Sequence, residues 1–96
     1  MTPENIAIDK QFVLRQDVLV DQIGDECVVF DPTTKMVFTV NQTGAMIINK
    51  LRQPQLIATL VEYLASCSSA SRDVILRDCE AFLAILLDKG LATCVE

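Results

Sequence analysis

The hydrophobic positions change their spacing along the chain. Up to about residue 41 they form short runs rich in valine and phenylalanine, separated by residues that favour turns, whereas further on they recur every three or four positions. The first pattern is typical of β-strands and the second of amphipathic helices. The sequence therefore predicts helices that follow strands at residues 12–15, with a continuation at 18–20, at 27–31 and at 36–41.

The last predicted strand has the clearest pattern. Met36, Phe38 and Val40 fall on one face, and Val37 and Thr39 fall on the other, as in a strand with one buried side. The connections between the strands are short, and they contain a Gly-Asp pair and an Asp-Pro pair that favour turns. Short connections predict an antiparallel meander of three strands.

The helix boundaries follow from residues that start or stop helices. Asn41 and Thr43 are both capable N-caps, Pro54 suits the first position of a helix, and Ser71 can cap the last helix. Gly90 can supply the left-handed residue that ends it. These signals predict helices at residues 44–51, 54–65 and 72–89.

The third predicted helix is too apolar for one ordinary core stripe. At 100° per residue it carries a broad apolar arc and, beyond Asp78, a second apolar patch. Either the helix is wedged between two parts of its own domain, or the second patch lines a groove for a partner. The broad arc comprises Ile75, Leu76, Cys79, Phe82, Leu83, Leu86 and Leu87, and the second patch comprises Val74, Ala81 and Ile85.

Length and composition fit one folded domain. The chain has 96 residues, of which 51% are hydrophobic, so we expect a single domain over residues 1–96 with an ordered part at about 10–93. No apolar run approaches the roughly 20 residues that span a bilayer, and the first residues lack the pattern of a secretory signal. We therefore expect no membrane partner and a cytoplasmic location.

The residue types give no catalytic or metal-binding constellation. The chain has no histidine and no glycine-rich phosphate loop, its acidic residues are scattered, and its four cysteines form no CxxC pair. We expect reduced, inert cysteines, no catalytic residue, no metal and no cofactor, and therefore a protein that is not an enzyme. Asp17, Asp21, Asp25 and Glu26 are expected to lie in a solvated loop.

Nucleic-acid binding is the weaker of two remaining classes. Three helices beside a small sheet are the elements of a winged helix, but the net charge is −5 and residues 54–65 contain no basic side chain. Binding to DNA depends on lysines and arginines that neutralise phosphates, so no nucleic-acid partner is expected. A winged-helix DNA-binding regulator remains the alternative.

The other class is a protein-binding adaptor. An edge strand presents unpaired N–H and C=O groups that can accept an extended peptide as an additional strand. Residues 35–40 are the best candidate edge if the third helix, with its second apolar patch, lies alongside. A homodimer formed through the same edge remains a further possibility.

Two segments of the chain resemble one known family. The run "VVFDPTTKMVFTVNQTGAMIINKL" and the later run "VILRDCEAFLAILLDKGLA" are similar to the PqqD-like proteins, the family of coenzyme PQQ synthesis protein D. The similarity covers residues 28–92. The matching positions are Phe38, Val40, Asn41, Thr43, Gly44 and Ala45, then Ile75, Asp78, Phe82, Leu83, Leu86, Gly90 and Leu91.

The resemblance implies an α+β, winged helix-turn-helix-like fold in which a three-stranded antiparallel sheet is followed by three helices. It also implies a non-catalytic peptide chaperone, a recognition element for ribosomally synthesised and post-translationally modified peptides. Such proteins hold the leader segment of a precursor peptide against the third strand, beside the third helix. They present it to a modifying enzyme, such as a radical SAM enzyme or a cyclase, or to a leader peptidase.

Carried over to this chain, the resemblance predicts a peptide-binding site made of one strand and one helix face. Val74, Asp78, Ala81 and Ile85 would form the helix face, with Ile75 and Phe82 at its border. The strand would contribute Lys35, Met36, Val37, Phe38, Thr39 and Val40.

Overall fold

The computed structural model describes residues 10–95, in which strands largely precede helices. This order matches the change in hydrophobic spacing along the sequence. Two short strands were not expected, one before the second helix and one after the third. The elements are β1 (Gln11–Leu14), β2 (Leu19–Ile23), β3 (Glu26–Asp31), β4 (Met36–Val40), α1 (Gln42–Lys50), β5 (Gln55–Leu56), α2 (Ile57–Cys67), α3 (Arg72–Asp88) and β6 (Ala92–Val95).

The strands form two sheets. β2, β3 and β4 make the antiparallel meander with β3 in the centre, so the α+β fold of a three-stranded sheet followed by three helices is confirmed. The second sheet has the order β5-β1-β6 and was not expected. Residues 18–20 therefore do not continue the first strand, because β1 pairs with β6 while the following residues turn into β2 of the other sheet.

The helix ends confirm two caps and correct a third boundary. The Asn41 side chain accepts a hydrogen bond from the amide of Gly44 at 2.8 Å, so Asn41 and not Thr43 caps α1. Ser71 caps α3 in the same way. α2 begins at Ile57 rather than at Pro54, because residues 55–56 pair with β1 before the helix starts.

One stripe of α3 lies in the hydrophobic core. Ile75, Cys79, Leu83 and Leu86 are buried, and they pack with buried residues of α1, α2 and both sheets. Their spacing of three or four residues keeps one helix face against the core. The second patch stays outside it, since Val74 and Ile85 are 47% and 51% exposed. The helix is therefore not wedged between two apolar layers.

A partly buried ion pair links the segment after β1 to the end of β3. Asp31, at the end of β3, is only 1% exposed, and its carboxylate accepts a hydrogen bond from Arg15 at 2.9 Å. The same guanidinium donates to Asp17 and, at 2.9 Å, to the carbonyl oxygen of Gly90 beyond α3. The hydrogen bond from Arg15 holds the pKa of Asp31 below its usual value, although burial acts in the opposite direction. Asp17 is thus paired rather than merely solvated. Of the other acids expected in a loop, Asp21 and Glu26 lie on β2 and β3, and only Asp25 lies in a turn.

No helix within residues 10–95 is both long enough and apolar enough to cross a membrane. Nor do the described residues bring together three side chains that could ligate a metal ion.

Candidate functional site

β4 is an edge strand with a defined set of free backbone groups. Within residues 10–95 it pairs with β3 on one side and with no strand on the other. The direction of each backbone group follows from the turn between β2 and β3. This turn has two residues and joins Ile23 to Glu26, and the two residues that flank such a turn are hydrogen-bonded to each other. Glu26 therefore bonds to β2, and the alternation of an antiparallel ladder directs the next residue, Cys27, towards Val40 of β4.

The same alternation fixes the rest of β4. Met36, Phe38 and Val40 direct their N–H and C=O groups to β3, whereas Val37 and Thr39 direct theirs to the open side. The open edge therefore offers two donors and two acceptors, spaced two residues apart. An extended peptide has the same spacing along its backbone.

An apolar groove of about 200 Å³ lies between this edge strand and α3. Phe38 and Val40 line it from the strand, and Phe82 and Ile85 line it from the helix. At one end the Lys89 ammonium lies 4.6 Å from the centre of the Phe38 ring, in a cation–π arrangement. The groove thus combines apolar walls with a single positive charge at its rim.

Gly44 sets how closely α1 can approach the groove. A Cβ atom at this position would lie 3.1 Å from the Cβ of Val40 and 3.1 Å from Cζ of Phe82. These distances are shorter than ordinary carbon–carbon contacts. The absence of a side chain at Gly44 therefore allows the first turn of α1, the end of β4 and the ring of Phe82 to meet.

A second cavity, of about 280 Å³, lies further towards the N-terminal end of α3. Thr43 and Met46 of α1 line one side, and Ile75 and Asp78 of α3 line the other. Asp78 is exposed, whereas Ile75 is 5% exposed and belongs mainly to the core. The second cavity therefore has both apolar and polar side chains in its lining, with an exposed carboxylate among them.

The structure brings part of the predicted site together. Phe38, Thr39 and Val40 share the apolar groove with Phe82 and Ile85. Met36 and Val37 lie on the same strand with exposed side chains, and Val74 and Ala81 are exposed on α3 outside both cavities.

Lys35 requires a correction, because it lies in the turn before β4. Its φ of 64° is left-handed, and its amide already donates to the carbonyl oxygen of Asp31 at 2.8 Å. The backbone of Lys35 therefore has no free donor for a peptide. The sequence prediction missed five residues that line the groove: Val29, Ile48, Leu86, Lys89 and Leu91. Lys89 could have been found, since it follows Phe82 and Ile85 at helical spacing.

The open edge of β4 and the adjoining groove define a class of small α+β domains that can accept an extended chain beside a helix. Within that class, the chain belongs to the PqqD family. The family model described as Coenzyme PQQ synthesis protein D (PqqD) matches residues 26–92, more than two thirds of the chain. No curated protein sequence matches this chain.

Solved structures show the same fold. TbiB1 in complex with the TbiA(beta) leader peptide is 25% identical, with a TM-score of 0.75, and the match covers 83% of this chain and 93% of that one. Lasso peptide synthetase B1 complexed with the leader peptide is 27% identical, with a TM-score of 0.75 and coverage of 85% and 96%.

A third structure shows the fold alone, because the sequence identity is 17%. It is the PqqD truncation of Methylobacterium extorquens PqqCD, a stand-alone recognition element for ribosomally synthesised and post-translationally modified peptides. Its TM-score is 0.76, and the match covers 97% of this chain and 99% of that one. These matches give no support to the DNA-binding alternative.

Proposed function

We propose that this chain binds the leader segment of a ribosomally made precursor peptide as an additional strand on β4. The observation that carries the proposal is the open edge of β4 beside the apolar groove. The leader peptides bound by two similar proteins, at 25% and 27% identity, support it. The family assignment over residues 26–92 supports it as well.

Backbone pairing supplies affinity in this proposal, and the groove supplies selectivity. The outward N–H and C=O groups of Val37 and Thr39 bond to the peptide backbone, and each such bond contributes about 0.5–1.5 kcal/mol net. Alternate peptide side chains then point into the groove, where they contact Phe38, Phe82 and Ile85. Apolar leader residues fit these walls, and an acidic one fits beside Lys89.

The N-terminal half of α3 extends the proposed site. Val74, Asp78 and Ala81 are exposed on the side of the helix that also carries Ile85. Asp78 stands at the mouth of the second cavity, where its carboxylate suits a basic leader residue. Ile75 contributes the apolar wall behind it.

The chain acts as a non-catalytic chaperone in this scheme. It works in the cytosol, where ribosomes release the precursor. It holds the leader and presents the rest of the peptide to a modifying enzyme, such as a radical SAM enzyme or a cyclase, or to a leader peptidase. No cofactor of its own takes part.

Proline substitutions on the two edges of one sheet test the proposal. Val37→Pro and Thr39→Pro each remove an outward donor without touching the ladder to β3. Gln22→Pro is the matched control, because Gln22 has the same outward orientation on β2, the opposite edge. Lys35→Pro is unsuitable, because proline cannot adopt the positive φ at that position.

The measurement is a fluorescence anisotropy titration with the labelled N-terminal half of any short peptide encoded beside this protein. Loss of one backbone hydrogen bond should weaken binding about 2- to 12-fold in the two β4 variants, whereas Gln22→Pro should bind like the wild type. Circular dichroism establishes that each variant is folded. Equal binding by folded Val37→Pro, Thr39→Pro and wild type would refute strand addition. Light scattering shows whether a homodimer occupies the edge instead.

A further inference from the structure

The outer face of the β2-β3-β4 sheet carries large apolar side chains that are exposed to solvent. Cys27, Val29 and Asp31 of β3 are buried on the inner face, so Val28 and Phe30 point to the outer one. In the register of the sheet, Phe30 stands between Leu19 of β2 and Val37 of β4. The outer face comprises Leu19, Ile23, Val28, Phe30 and Val37, of which Leu19 and Ile23 are each 60% exposed and Val37 is 57% exposed.

The charged side chains on the strands of this face are all acidic, and the exposed Lys35 lies in the turn before β4. Asp21 pairs with Val28 and Glu26 pairs with Ile23, so both carboxylates lie on the outer face, and Asp25 follows in the adjoining turn. The three strands contain no lysine or arginine. None of these three acids has a salt bridge to a partner in the described part of the chain.

The apolar and acidic side chains of this face indicate what kind of surface a partner must have. Two copies of the face would bring their carboxylates together with no compensating cation on the strands, and such like-charge contacts oppose association. A surface with an apolar centre and a rim of lysines and arginines is complementary in both respects.

We propose that the outer face of the sheet docks the catalytic protein that acts on the bound precursor, through a basic-rimmed apolar surface of that protein. This step rests on the proposed function, because it concerns how the bound peptide is presented. A leader added at β4 extends the same sheet, and its outward side chains lie level with Val37 and Thr39. A protein on the outer face therefore contacts chain and leader together, and it binds the complex more tightly than the free chain.

The test measures binding of any modifying enzyme or leader peptidase encoded beside this protein, after purification, by biolayer interferometry with the full chain immobilised. Leu19→Thr removes an apolar contact and keeps a residue suited to strands, and Asp21→Lys reverses a charge. Leu76→Gln and Asp88→Lys are the matched controls, because both residues are exposed on α3. Each variant is also titrated with the leader peptide.

We expect Leu19→Thr and Asp21→Lys to weaken enzyme binding about fivefold or more, Asp21→Lys with a reduced salt dependence. Both controls should stay within about twofold of the wild type, and all four variants should bind the leader normally. Addition of the leader should tighten enzyme binding to the wild type.

Unchanged enzyme binding by both Leu19→Thr and Asp21→Lys would overturn the proposal. A wild-type protein that is a dimer, and that Leu19→Thr converts to a monomer, would overturn it as well. If the enzyme bound through this face with the same affinity in the presence and absence of the leader, the inference that it contacts chain and leader together would be refuted. Failure of the proposed function appears separately, as absent leader binding by the wild type.

Discussion

Gly44→Ala tests whether close approach at the base of the groove limits stability. The new methyl group would lie 3.1 Å from two neighbours, which are not equally free to move. The ring of Phe82 is half-buried and can turn into the groove, but the Cβ of Val40 is fixed to the backbone of β4. Relief therefore requires β4 and α1 to separate by a few tenths of an ångström.

Two effects of opposite sign decide the free energy of unfolding. Alanine is better than glycine within a helix by about 0.5–1 kcal/mol. Overpacking in a close-packed region costs about 1–3 kcal/mol. We expect crowding to dominate, because one contact involves a backbone-fixed atom, and the net loss should be about 0.5–2 kcal/mol. In a chain of this size each kcal/mol lowers Tm by about 4–8 °C.

Urea denaturation of a double-mutant cycle with Phe82→Leu isolates the contact. Phe82→Leu removes the ring atom nearest the new methyl group, so Gly44→Ala should cost less in that background. Gly90→Ala is the control: its φ is 72° and no atom lies within 4 Å of the new Cβ, so its cost is backbone strain and should not couple to Phe82. If Gly44→Ala stabilised the protein by the full helix-propensity gain, the crowding argument would be refuted.

Three further predictions concern the core, the ion pair and the cysteines. Leu83→Ala, at a fully buried position, should lower the free energy of unfolding by about 2–5 kcal/mol in urea denaturation. The pKa of Asp31 is lowered on folding from the usual value of an aspartate. Its contribution to stability is therefore complete above that usual value and is lost as the pH falls through the folded-state pKa, so Asp31→Asn should flatten the acid limb of a plot of urea midpoint against pH. Cys67 and Cys94 are exposed and should react with a thiol reagent in the native state, whereas Cys79, whose pKa burial raises to about 11, should react only on unfolding.

Elements whose signals are local could be predicted from the sequence. β4 and α3 are examples, since alternation in five residues and the Ser71 cap are sufficient to place them. The separation of the patch at Val74 and Ile85 from the core stripe was also predicted, because helical geometry alone sets the two apart, whereas the exposure of the patch was one of two alternatives.

Features that depend on distant partners could not be predicted in this way. β6 is a strand because it pairs with β1, and residues 55–56 leave the predicted helix because they pair with the same strand. The link between Arg15 and Asp31 joins side chains 16 positions apart, one just after β1 and the other at the end of β3. Tertiary pairing overrides local propensity at such places.

The order of the second sheet has a consequence for synthesis of the protein. β1 lies between β5 and β6, and Gln11 is paired with Val95, so the first strand cannot complete its ladder until the last strand has left the ribosome. Contacts between such distant positions slow folding, and small single domains usually fold in an all-or-none manner. We therefore expect nascent chains that end before β6 to remain protease-sensitive, and the chain to gain resistance only after residue 95 has emerged.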